Sequence, residues 1–139
     1  MEDCIFCKII NKEIDAHIVY EDDNVLAFLD NNPISLGHVL IVPKKHFVNI
    51  YDVEEYSLRE VIAVAKKIAL IYKEVFGITD LNLLHNAGKN GQQAVFHLHF
   101  HLIPRKEGDD VDFDNKKFPE LKEKYSEFIE KLSRKVARF

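Results

Sequence analysis

The sequence predicts an α+β domain in which an antiparallel sheet of about five strands carries one long helix. Short strand-like runs crowd the first third of the chain, separated by tight turn signals. A single long stretch of helical periodicity follows, and two further strand-like runs come after it. Strands grouped on either side of a helix, rather than alternating with helices, favour antiparallel pairing.

Taken in order, residues 4–10 suit a short helical turn. Residues 18–20, 25–29 and 39–42 read as strands, with Asp22-Asp23-Asn24 as the turn between the first two. Asn31-Asn32-Pro33 and Gly37 punctuate the loop before the third. A helix is predicted over 52–76, where Leu58, Val61, Ile62, Ala65, Ile68, Ala69, Tyr72, Val75 and Phe76 recur at helical spacing. Asp52 with Glu55, or Ser57 with Glu60, would form a capping box, and Gly77 sits where helices stop. Residues 81–85 and 95–103 complete the strands, joined by the loop 86–91, and Pro104 ends the last one. Beyond a main domain over 1–108, an acidic loop and a C-terminal helix are expected over 109–139, within the same compact unit. From Phe118 the tail places Leu121, Tyr125, Phe128, Leu132 and Val136 on one face, which should pack on the chain's own core or on a partner subunit.

Composition narrows the function. The 139 residues amount to one ordinary domain, and 47% apolar content is enough for a packed core. With 19 basic and 23 acidic residues the formal charge is −4, which argues against a sequence-independent nucleic-acid binder. Apolar runs are too short to span a bilayer. Met1-Glu2-Asp3 lacks the flank of a signal peptide, so a cytoplasmic location is expected.

The segment His97-Leu98-His99-Phe100-His101-Leu102-Ile103 carries three of the seven histidines within five residues. Strand alternation puts the three imidazoles on one face and Leu98, Phe100 and Leu102 on the other. At roughly 3.3 Å per residue, His97 and His101 are about 13 Å apart, so one tetrahedral ion cannot take all three. Two neighbours could share an ion. The other use is phosphate chemistry: neutral imidazole is a nucleophile near pH 7, and a second imidazole can protonate the leaving group. Cys4 and Cys7 have C-x-x-C spacing, which fits half of a zinc site, a redox pair or two inert thiols.

The histidine segment resembles the signature of the histidine triad (HIT) superfamily of nucleotide hydrolases and transferases. Residues 5–10, 20–22, 27–30, 37–46 and Asn86 are similar to its Hint-like branch, in the zinc-containing bacterial type. This resemblance implies that His99 attacks the α-phosphorus to form a nucleotidyl–histidine intermediate. It implies that His101 contacts the phosphate and leaving group, with His97 in support. It also implies that Asp30 binds the ribose hydroxyls, that Asn86 lies near the phosphate, and that Gly91, Gln92 and Gln93 line it. Ala94 stands where the branch often has a serine. The resemblance assigns one structural Zn²⁺ to Cys4, Cys7, His46 and His97, and implies a homodimer with a continuous sheet and no catalytic metal. The implied reaction is release of a purine nucleoside 5′-monophosphate from a phosphoramidate. A dinucleoside polyphosphate hydrolase and a nucleotide-binding or scaffolding module with little turnover are the alternatives.

Overall fold

A computed structural model describes residues 3–137; Met1 and Glu2, where the absence of a leader was read, lie outside them. Five strands form one antiparallel sheet: β1 (Ile18–Glu21), β2 (Val25–Leu29), β3 (Val39–Pro43), β4 (Leu81–Leu84) and β5 (Phe100–Pro104). Their order is β1-β2-β3-β5-β4, with every neighbouring pair antiparallel. Helix α1 (Ile5–Ile10) precedes the sheet and α2 (Glu55–Phe76) separates β3 from β4. A 3-10 turn over Pro119–Lys124 leads into α3 (Tyr125–Val136).

The central strands are buried on both faces. Val25, Ala27, Val39 and Ile41 pack with α2 residues Val61, Val64, Ala65, Ile68 and Tyr72. Leu26, Phe28, Leu40 and Val42 point the other way, onto Phe6 and Ile9 of α1. Each fully buried aliphatic side chain contributes about 1.5–3 kcal/mol. The register pairs Leu40 with His101, which puts His101 on the α1 face.

The helix starts at Glu55, three residues later than the spacing predicts, and no capping box forms. The Asp52 carboxylate instead accepts the Val48 and Asn49 N–H groups, at 3.0 and 2.9 Å. Glu54 is the N-cap, with no side-chain cap bond. Gly77 ends the helix at φ 69°, as expected. Val64 joins the buried stripe, whereas Ile62, Val75 and Phe76 are exposed.

The last strand is shorter than alternation suggests, beginning at Phe100 rather than 95. Its final partner on β3 is Ile41. Beyond that pair, Pro43 has no N–H to give, and its carbonyl is taken by the His97 side chain. The tail is fastened at its root, where Arg105 donates to Asp109, Asn82 and the Val111 carbonyl. Neither the 3-10 turn nor α3 buries a residue, so the apolar stripe of the tail lies exposed.

Gly37 joins three elements at the start of β3. Its φ is +92°, and an added Cβ would lie 3.2 Å from Pro104 Cγ and 3.3 Å from Tyr72 Cε2. The Tyr72 hydroxyl donates to the Gly37 carbonyl at 3.0 Å. Gly37→Ala is expected to destabilise the fold by about 1–3 kcal/mol through left-handed strain and crowding, read as a lower midpoint in urea unfolding.

Candidate active site and metal centre

Two clusters of side chains lie along the α1 face of the sheet. In the first, Cys4 is the N-cap of α1 and Cys7 lies within it. His46 follows β3, and His97 precedes β5. Cys4 Sγ lies 3.4 Å from His97 Nδ1, and Cys7 Sγ lies 3.4 Å from His46 Nδ1 and 3.5 Å from His97 Nδ1. The two Nδ1 atoms are 3.1 Å apart.

The three sulfur–nitrogen separations fit one ion, and the nitrogen–nitrogen distance is about 0.2 Å short of it. Ligand bonds of about 2.3 Å to sulfur and 2.0–2.1 Å to nitrogen put tetrahedral neighbours roughly 3.3–3.8 Å apart. His97 Nε2–H donates to the Pro43 carbonyl at 2.8 Å, which leaves Nδ1 as a lone-pair donor facing the sulfurs. Burial pushes the Cys7 thiol up and His97 down to about 4, so both favour their neutral forms without a cation between them.

The second cluster is made of Asp30, His38 and His101. Asp30 and His38 face each other just past the end of the β2–β3 ladder, where Asp30 N–H donates to the His38 carbonyl at 2.9 Å. The Ile34 N–H donates to His38 Nδ1 at 3.3 Å, so the His38 proton sits on Nε2. That Nε2 is 2.9 Å from His101 Nδ1 and 3.5 Å from Asp30 Oδ2. His101 therefore accepts at Nδ1 and carries its proton on Nε2. Burial holds His101 down to about 4, with His99 and His38 adding to the effect.

His99 lies between the clusters, 5% exposed. Its Nδ1–H donates to the His97 carbonyl at 2.8 Å, which leaves the Nε2 lone pair free. Burial lowers its pKa, so the ring is neutral near pH 7. The Phe6 ring meets it edge-on at 5.1 Å and the His101 ring lies at 4.9 Å. A neutral imidazole with one committed nitrogen and one free lone pair is a poised nucleophile.

The loop before β5 is held by hydrogen bonds. Gln92 and Gln93 donate their backbone N–H groups to the Lys89 and Gly88 carbonyls, both at 3.0 Å. Gln92 takes a left-handed φ of 66°. At Gly91 a Cβ would come within 2.4 Å of the Ala87 oxygen, so bare backbone is required. The Gln93 side chain is spent on structure: it donates to the Val48 and Val95 carbonyls and accepts from Gly88 N–H and Asn49. Asn86 is half-buried just after β4. A cleft of about 600 Å³ opens beside Cys4 and His46 and reaches Ala94 and Phe96.

Nothing in the residue pattern gives His38 a part in the site. Its position opposite Asp30 across a strand pair was the available signal, and it required the register to be known.

A family model described as the HIT domain matches residues 11–108, which includes His46 and all three triad histidines but neither cysteine. An adenylylsulfatase of Arabidopsis thaliana is 44% identical over 77% of this chain and 54% of its own length. An adenosine 5′-monophosphoramidase of Saccharomyces cerevisiae is 40% identical over 75% of this chain and 63% of its own. The crystal structure of a HIT family protein from Bacillus anthracis covers 99% of this chain and 96% of its own, with TM-score 0.88 and 37% identity. A Zn-bound histidine triad family protein from Mycobacterium smegmatis covers 86% of each chain, with TM-score 0.76 and 35% identity.

The tautomers are directly measurable. Nitrogen-15 NMR of the histidine side chains should find His99 protonated on Nδ1 and His101 on Nε2. His38→Phe should leave His99 unchanged and turn His101 into a tautomer mixture. An unaltered His101 spectrum would show that His38 does not fix it.

Proposed function

The chain belongs to the HIT domain family, and from that premise we propose that it hydrolyses purine nucleoside 5′-phosphoramidates through a nucleotidyl intermediate on His99. The observation that carries this reading is the commitment of His99 Nδ1 to the His97 carbonyl, which leaves Nε2 for phosphorus. The two functionally named relatives, a phosphoramidase and an adenylylsulfatase, both have names that describe an adenylyl group joined at phosphorus to a leaving group.

The steps follow from the proton positions. His99 Nε2 attacks the α-phosphorus, forming an N–P bond while the bond from phosphorus to the departing amine breaks. The substrate's phosphate charge offsets the desolvation that holds His101 low. A proton from solvent enters at His38 Nδ1 in place of the 3.3 Å contact with Ile34 N–H, and the His38 Nε2 proton shifts to His101 Nδ1. His101 gives its Nε2 proton to the amine. Water then attacks phosphorus, gives a proton back to His101, and releases the nucleoside monophosphate and free His99. Asp30 binds the ribose diol, Asn86 lies by the phosphate, and Gly91, Gln92 and Gln93 shape the loop around it. His97 supports the nucleophile through its carbonyl.

Cys4, Cys7, His46 and His97 hold one structural zinc ion. The four-atom geometry supports this, and the four positions leave no site open for water. The ion ties α1 to the sheet and takes no part in the phosphoryl steps. The protein acts in the cytoplasm as a homodimer; β4 is an edge strand with Leu83 exposed, and no helix among the described residues is long and apolar enough to cross a membrane.

A screen of adenosine phosphoramidates against dinucleoside polyphosphates should show preference for the former. His99→Ala should cut turnover by about 10⁴-fold or more while adenosine monophosphate still binds. Labelled nucleotide trapped on another residue would overturn the assignment. Asp30→Ala should weaken binding of ribonucleotides more than of their 2′-deoxy analogues, and equal losses would exclude the ribose role.

Cys4→Ser with Cys7→Ser should lower bound zinc from one per chain to near zero. The melting temperature should drop by roughly 10 °C, with kcat kept within about tenfold. Protein purified without chelator that contains no zinc, and melts identically when zinc is added, would exclude the metal.

A further inference from the structure

His85 has no part in the mechanism above, yet both of its ring nitrogens are engaged. The Ile50 N–H donates to Nε2 at 3.2 Å, which puts the His85 proton on Nδ1. Nδ1–H donates to the His99 carbonyl at 3.1 Å. The ring stacks on Phe100 with centroids 5.1 Å apart and planes 29° from parallel. Its location explains the arrangement. The β4–β5 ladder ends at the Leu84–His101 pair, and His85 is the next residue of β4's chain. Its side chain supplies the hydrogen bond that the backbone ladder no longer gives.

We infer that His85 is a positioning residue for the nucleophile, fixing the His99 main chain against the segment 46–50. That segment reaches several parts of the site. His46 belongs to the metal cluster, the Phe47 carbonyl accepts Leu98 N–H at 2.7 Å, and the Val48 carbonyl accepts Gln93 at 2.7 Å. Ile50 then reaches His99 through His85. Without the His85 bridge, the peptide after His99 loses its only side-chain restraint among the described residues, and the direction of Nε2 loosens. Misplacement of a reacting atom by about 1 Å can cost 10²-fold in rate.

This inference rests on His99 as nucleophile, so the test has one arm that needs no turnover. His85→Leu removes both hydrogen bonds at similar volume. His85→Gln offers an amide that can accept from Ile50 and donate to His99. With a chromogenic adenosine phosphoramidate, His85→Leu should lower kcat by about tenfold or more with KM and the melting temperature nearly unchanged, and His85→Gln should recover most of it. By NMR, the His99 Nδ1–H signal should exchange about tenfold faster or more in His85→Leu and return toward wild type in His85→Gln. Wild-type kcat and exchange in His85→Leu would overturn the role. So would a loss that falls on stability alone, or one that His85→Gln fails to rescue. A wild-type protein that turns over no phosphoramidate would refute the proposed reaction, and the exchange arm would then decide His85 by itself.

Discussion

A buried imidazole has two nitrogens, and each must find a partner or stay deliberately free. The whole α1 face of this protein is organised by that requirement. His97 gives its Nε2 proton to Pro43, His99 gives its Nδ1 proton to His97, and His101 receives from His38. Each commitment sets the chemistry of the other nitrogen. Three rings of one residue type thereby present three different free nitrogens, Nδ1 toward the cysteines on His97 and Nε2 on His99, with Nε2–H on His101, although they differ by only two positions each.

The sheet makes this possible by dividing the labour between its faces. Residues of β2 and β3 alternate between the α2 core and the α1 core, and the register carries that parity across to β5. Phe100 and Leu102 join the α2 side, while His99 and His101 stand opposite. Because the ladder stops at Ile41 and Phe100, His97 is free to leave the strand's path and reach the cysteines. The Cys4–Cys7–His46–His97 cluster and the Asp30–His38–His101 cluster are thus separate, which agrees with the spacing argument that one ion could not serve all three histidines.

Much of this was legible from residue patterns. The two apolar runs 25–29 and 39–42 read as strands because they are short, apolar and bounded by turn residues. The long helix and its stop at Gly77 followed from periodicity and backbone freedom. What the patterns could not give was the use of side chains as substitutes for backbone partners. Asp52 looked like a helix cap because its spacing to Glu55 is right, but its carboxylate turns back to Val48 and Asn49. The last strand looked longer because histidines alternate through 97–101, whereas hydrogen bonding by His97 and Phe47 replaces the ladder there. His38 and His85 belong to no local motif, because their partners lie 63 and 14 residues away. The stripe of the tail was visible, but periodicity alone could not say whether the chain itself covers it.

The double burial of β2 and β3 also bears on how such a chain can vary over generations. A strand with one wet face has alternate sites where almost any polar residue is tolerated. Here Val25 through Phe28 and Val39 through Val42 have no wet face at all. Every replacement is screened by one core or the other, for volume as well as polarity. Neutral drift is therefore driven outward, to exposed positions of β1, the outer surface of α2 and the tail, while the middle of the sheet changes only by paired, size-compensating steps.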